Sequence, residues 1–271
     1  MDNRPIGVFD SGVGGLTVVR KLWQVLPDEE IVYFGDTQHL PYGNKSPEAV
    51  TGYSRRIVKF LISQDVKLVV VACNTASAVA LNTLKREFKL PIIGVIKPGV
   101  RAAVRATKNG HIGIIGTRST IASGAYESAL KSEAGRVGKK INCFAHPCPL
   151  FVPLVEENWW RKPATLDIAN DYLSGFKDKN IDTLVLGCTH YPVMKSVIRK
   201  IIGSKVTLVE SGFSVATQIK SILTDTNALG RRHRLREQSH KFFVSDDPQH
   251  FRALSRIFLG HPVPCIKEIA L

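Results

Sequence analysis

The chain has 271 residues, 44% hydrophobic and 22% charged, the balance of a globular protein with room for one large or two small cores. No apolar stretch approaches a membrane span, and Met1-Asp2-Asn3-Arg4-Pro5-Ile6 lacks a signal-peptide core, so a cytoplasmic protein is expected. The 37 Lys and Arg against 23 Asp and Glu, net +14, favour anionic partners: small carboxylates, phosphates or nucleic acid.

Strand-like and helix-like segments alternate along the chain. Ile6 to Phe9 forms an apolar strand, and Leu16 to Leu26 has helical spacing. Between them lies the glycine-rich turn Asp10-Ser11-Gly12-Val13-Gly14-Gly15. A dinucleotide fingerprint would need a glycine where Thr17 stands, whereas backbone amides at a helix start also suit a carboxylate. Asp10 is either a helix cap or a proton-handling group. Glu30 to Phe34 is the next strand, and a loop through Pro41-Tyr42-Gly43 follows. Ser46-Pro47-Glu48 starts a helix expected to reach about Gln64. The apolar run Leu68 to Val71 then leads to Cys73-Asn74-Thr75. After a further helix and the strand Ile92 to Val95, Ile96-Lys97-Pro98-Gly99 breaks the pattern and is expected to be a hinge.

Beyond it the alternation resumes with strand His111 to Ile115, a helix from about Thr120 and strand Ile141 to Ala145. Pro147-Cys148-Pro149-Leu150-Phe151-Val152-Pro153 is expected to take an irregular path closing on Glu156-Glu157. One of these glutamates either starts the next helix favourably or handles protons with His190. Trp159-Trp160 suits core, gate or interface. A helix near Leu166 to Phe176 precedes strand Thr183 to Gly187, which runs into Cys188-Thr189-His190. Lys205 to Val209 then leads to Glu210-Ser211-Gly212, an echo of Asp10-Ser11-Gly12. This pattern predicts doubly wound α/β domains with parallel sheets covered on both faces.

Five cysteines without a CxxC spacing argue against a disulfide framework or a zinc ribbon, and no metal-ligand spacing occurs. Cys143 and Cys148 suit packing or loop, and Cys265 suits a small buried hydrophobe. Cys73 and Cys188 stand apart, each following an apolar strand and preceding short polar residues, 115 positions from one another. Such a thiol sits at the C-terminal edge of a sheet, where open α/β folds bind ligands. A helix N-terminus there is expected to lower its pKa.

Cys188 and His190, two apart on a segment expected to be extended, would suit a cysteine amidase. That reading leaves the repeat at Cys73 unexplained, whereas two facing acid/bases account for both. The basic run Arg231-Arg232-His233-Arg234-Leu235-Arg236 has little aromatic interleaving, so the positive charge is read as solvated surface and a nucleic-acid partner is not expected.

Phe9-Asp10-Ser11-Gly12-Val13-Gly14-Gly15-Leu16, Pro41-Tyr42-Gly43, Ala72 to Ala78, Pro149 to Glu157 and Leu186 to Pro192 together resemble the cofactor-independent aspartate/glutamate racemase family. The resemblance implies two α/β domains related by pseudo-symmetry, residues 1–97 with 212–271 and residues 98–211, with the active site between them. It implies Cys73 and Cys188 as the catalytic acid/bases, assisted by Asp10, His190 and Glu156. Substrate contacts are implied at Asp10, Ser11, Pro41, Tyr42, Gly43, Asn74, Thr75, Thr117, Thr120, Thr189 and His190. The implied activity is L-/D-glutamate interconversion for peptidoglycan, without cofactor or metal, and a homodimer is expected. A related racemase acting on aspartate is the nearest alternative. Lys97, His39 and Glu210 depart from the family pattern, which has an acidic residue, an arginine and an aspartate there.

Overall fold

The computed structural model describes residues 1–230 and 239–271, so the basic run Arg231 to Arg236 lies outside the described residues. The first part of the chain comprises β1 (Ile6–Asp10), α1 (Leu16–Val25), β2 (Ile31–Gly35), α2 (Pro47–Ser63), β3 (Leu68–Val71), α3 (Asn74–Val79), α4 (Leu81–Glu87), β4 (Ile92–Gly94) and α5 (Ile96–Ala106). It continues through β5 (His111–Gly116), α6 (Arg118–Ala122), α7 (Ala125–Val137), β6 (Asn142–Pro147), α8 (Phe151–Glu156), α9 (Pro163–Leu173), β7 (Thr183–Gly187), α10 (Lys195–Ile202) and β8 (Thr207–Glu210). α11 (Ser211–Asp225), β9 (Lys241–Val244), α12 (Pro248–Leu259) and β10 (Ile266–Glu268) complete it.

Among the described residues two sheets result, and every strand pairing in both is parallel. The six-stranded sheet has the order β10-β9-β2-β1-β3-β4, and the four-stranded sheet has β6-β5-β7-β8. Each therefore contains the same 2-1-3-4 arrangement, with β9 and β10 added beside β2. In this winding the order reverses between the first and third strands, and ligands bind at their carboxyl ends. Cys73 follows β3 and Cys188 follows β7, so both thiols stand at equivalent switch points.

Burial explains the strand sequences. β1, β2, β3 and β7 are buried at every position, which is why they read as unbroken apolar runs. α1 buries Leu16, Val18, Val19 and Leu22, the spacing of one helix face. One apolar cluster runs from Val8 and Leu16 through Val215 and Ile219 to Leu184 and Leu186, joining the two sheets. Among the described residues no helix is long and apolar enough to cross a membrane.

Three local expectations fail for identifiable reasons. The segment Ile96-Lys97-Pro98-Gly99 does not break the pattern but forms the first turn of α5, where a missing proline N–H leaves no helical bond unmade. A Cβ on Gly99 would lie 2.5 Å from Ser211 Oγ, so a side chain there would force that hydroxyl to move. Similarly, Pro153 falls in the first turn of α8, so Phe151 to Glu156 is helical rather than irregular. Cys265 is exposed rather than buried, just before the edge strand β10, whose Lys267 and Glu268 are also exposed.

Candidate active site

The turn after β1 is fixed from two sides. Tyr33 donates from its hydroxyl to the Gly12 carbonyl at 2.6 Å, and Asp10 Oδ2 accepts from the Gly12 N–H at 3.2 Å. The glycines admit the other half of the molecule: a Cβ on Gly14 would lie 2.3 Å from Thr189 Oγ1 and 2.5 Å from His190 Nδ1. Only a residue without a Cβ lets the loop after β7 lie against the turn after β1. Thr17 closes this junction, its hydroxyl lying 2.9 Å from the Gly14 carbonyl and 3.2 Å from the Thr189 carbonyl.

Cys73 caps α3, its sulfur accepting from the Ala76 N–H at 3.5 Å while its thiol points to Ser11 Oγ at 3.8 Å. The helix start was expected to acidify this thiol. Burial dominates instead, and together with nearby Asp10 pushes its pKa up to about 12. Repulsion from Cys188 adds to the rise, so the two sulfurs lie within electrostatic reach of one another.

Cys188-Thr189-His190 is a turn rather than an extended segment, closed by the Tyr191 N–H on the Cys188 carbonyl. The turn still brings His190 Nδ1 to 3.9 Å from Cys188 Sγ. On the other side of the ring, Nε2 lies 2.8 Å from Glu156 Oε1. Burial opposes a charge on this histidine, but hydrogen bonds to Cys188 and Glu156 outweigh it and raise the pKa to about 10. Glu156 stands at the C-terminal end of α8, so helix initiation does not explain it. Its contact to His190 does. Asp10, fully buried, accepts a long 3.5 Å bond from Thr189 Oγ1, and burial raises its pKa.

The implied substrate contacts divide into two groups. Thr75, Thr117 and Thr120 bring their hydroxyls to 2.9–3.1 Å of one another, joining α3 of the first half to α6 of the second. Gly43 lies against Thr117, where a Cβ would meet the threonine at 2.6 Å. Ser119 fastens that approach by donating to the Gly43 carbonyl at 2.9 Å. Asn74 donates from Nδ2 to the buried Tyr126 hydroxyl at 2.7 Å. Tyr42 and Pro41 are placed differently. The Tyr42 hydroxyl is engaged by Asp36, and Pro41 is exposed.

Tyr33, Tyr126, Ser119 and Phe258, whose ring meets His190 edge-on, support the site without having been legible in the sequence. Thr17 was visible only as the residue that spoils a nucleotide motif. Trp159 is 51% exposed and is not core. Among the described residues no group of three or more His, Cys, Asp or Glu could hold a metal ion.

The description Asp/Glu/hydantoin racemase matches residues 6–218. A glutamate racemase of Geobacter metallireducens is 46% identical over 268 residues, covering 99% of this chain and 97% of the relative. The crystal structure of a glutamate racemase from Bacillus anthracis superposes with TM-score 0.94 at 36% identity, covering 100% of this chain and 99% of that one. That of Francisella tularensis glutamate racemase in complex with D-glutamate gives 0.91 at 37% identity, covering 100% and 98%. Paired thiols at equivalent sheet edges and full-length similarity converge: the chain belongs to the Asp/Glu/hydantoin racemase family.

Proposed function

We propose that this chain interconverts L- and D-glutamate by moving the α-proton between two thiols. Cys73 as thiolate takes the proton from D-glutamate, and Cys188 as thiol delivers one to the opposite face of the carbanion. In the L-to-D direction the roles exchange. The observation that carries this reading is the repeated placement of Cys73 and Cys188 at the switch points of two sheets with the same strand order.

The surrounding groups suit that chemistry. A thiol raised to about 12 ionises only when a cation offsets its burial, and the substrate ammonium supplies one. His190, protonated at neutral pH, places Nδ1 3.9 Å from the Cys188 sulfur. Asp10 stands beside Cys73 and acts in the opposite sense, holding its thiol protonated until the substrate ammonium arrives. Hydroxyls of Ser11, Thr75, Thr117, Thr120 and Thr189, with the Asn74 amide, hold the carboxylates and meet charge as the carbanion forms. The three threonine hydroxyls bond to each other until a carboxylate replaces those bonds.

We assign residues 1–97 with 212–271 to one domain and residues 98–211 to the other. This division follows the sheets, whose strands span 6–94 with 241–268, and 111–210.

The product serves peptidoglycan synthesis in the cytoplasm, and the protein acts as a homodimer without a nucleic-acid partner. Five free cysteines support a reducing compartment; closed two-fold dimers are the commonest soluble oligomers, and light scattering of the purified protein tests for one. Polarimetry of D-glutamate with pure protein and no added cofactor tests the activity. In heavy water the product should carry deuterium at the α-carbon while recovered substrate stays unlabelled at early times. A flat polarimetric trace overturns the reading.

A further inference from the structure

Two-thiol racemisation leaves the enzyme in the wrong protonation state after every turnover, and this inference rests on that reading. When L-glutamate becomes D-glutamate, Cys188 ends as thiol and Cys73 as thiolate, the reverse of what the next L-glutamate needs. The proton on Cys188 must leave before another cycle in the same direction.

The small cavity lined by Asn74, Cys188, Thr189 and Ser211 offers a route. Its volume of about 20 Å³ suits one water. Ser211 is only 7% exposed, and its Oγ, although beside the Tyr126 hydroxyl, makes no hydrogen bond of ordinary geometry. A buried hydroxyl without a partner, lining a water-sized cavity, is the mark of a water site. Thr17, Pro192 and Glu210 line this cavity and also an outer cleft of about 210 Å³, so these residues form the wall between the two. Arg20, Lys21 and Lys195 line the outer cleft, and Lys195 Nζ lies 3.0 Å from Glu210 Oε2. Glu210, half-buried on β8, therefore faces water on one side and the Cys188 cavity on the other.

We propose that a water held by Ser211 and the Glu210 carboxylate carries protons between Cys188 and solvent, apart from the substrate cleft. The Cys188 S–H bond breaks and its proton passes to the water. One O–H of that water breaks in turn as a proton moves to a Glu210 carboxylate oxygen, and Glu210 releases it to the outer cleft. Cys188 is left as thiolate, the water and Glu210 are unchanged, and Cys73 regains its proton from solvent once product has left. Reprotonation of Cys188 runs through the same atoms in reverse.

Glu210→Gln keeps the shape and removes the proton acceptor. Resetting the free enzyme limits kcat but not kcat/KM, because kcat/KM covers only the steps up to product release. Initial rates of L-glutamate racemisation should show kcat and KM falling together, by about tenfold, with kcat/KM unchanged. Glu210→Asp should restore both, and Ser211→Ala should show the same paired fall. Wild-type kcat and KM in Glu210→Gln, or a fall in kcat/KM as large as that in kcat, overturns the relay while racemisation itself stands. Absence of racemisation in the unmodified protein sinks the two-thiol reading instead.

Discussion

His190 bridges Glu156 and Cys188: Nε2 lies 2.8 Å from the Glu156 carboxylate, and Nδ1 lies 3.9 Å from the Cys188 sulfur. A buried imidazole between two acidic partners is held protonated, with its pKa near 10 against about 6.5 in an unfolded chain. A raised folded-state pKa stabilises the fold fully below pH 6.5 and loses that contribution as pH climbs to about 10. Denaturant unfolding should therefore show stability falling between pH 6.5 and 10 by up to about 5 kcal/mol, at roughly 1.4 kcal/mol per pKa unit. Glu156→Gln should flatten that slope and slow racemisation at least tenfold. An equal slope in the variant would remove Glu156 from the account.

Cys73 is expected to be a sluggish nucleophile in the free protein. Burial first, and the nearby Asp10 second, keep its thiol protonated up to about pH 12. Alkylation by iodoacetamide, followed by peptide mass spectrometry, should be slow at pH 7 and rise continuously to pH 10 without a plateau. Cys73→Ser and Cys188→Ser should each fold and lose racemisation by a factor on the order of 1,000 or more, because a serine hydroxyl is far less acidic. Rapid alkylation of Cys73 at pH 7 would contradict the burial argument.

Gly14 tests whether the junction of the halves is steric. Its added Cβ would sit 2.3 Å from Thr189 Oγ1 and 2.5 Å from His190 Nδ1, so something must move. The neighbours belong to the loop carrying Cys188, which means that Gly14→Ala should displace the second thiol relative to the first. We expect kcat/KM to fall at least 100-fold, as misplacement by about 1 Å does at reacting centres, with circular dichroism unchanged. Retained activity would show that the loop yields without moving the sulfur.

Much of this architecture was legible because it is written locally. Unbroken apolar runs gave β1, β3 and β7, and the repeat around Cys73 and Cys188 placed the thiols at strand ends. What escaped was of two kinds. Pro98 and Pro153 read as breaks because a sequence does not reveal that each falls within the first turn of a helix, where proline is harmless. Tyr126 and Ser119 escaped because their partners, Asn74 and Gly43, lie 52 and 76 positions away. Nor does the helix start at Asn74 outweigh burial at Cys73, a balance that depends on neighbours from the whole fold.

The opposite edge of the first sheet carries stability rather than chemistry. Lys67, just before β3, and Glu29, just before β2, form a buried ion pair at 2.6 Å, with side chains 2% and 3% exposed. The ammonium also donates to the Asp2 and Ala228 carbonyls at 2.8 Å, and the Gly230 N–H donates to Glu29 at 2.7 Å. The pair thus clamps the chain where it leaves α11 to return to the first sheet. Lys67→Met would leave Glu29 buried without a counter-charge and orphan two carbonyls, which should cost about 3–5 kcal/mol of stability. Adding Glu29→Gln removes the uncompensated charge and should recover part of that loss. Because Lys67 lies at the end of β3 away from Cys73, kcat/KM of the folded single variant should stay within about twofold of wild type. A large fall in kcat/KM with little change in denaturation midpoint would mean that this clamp governs the site rather than the fold.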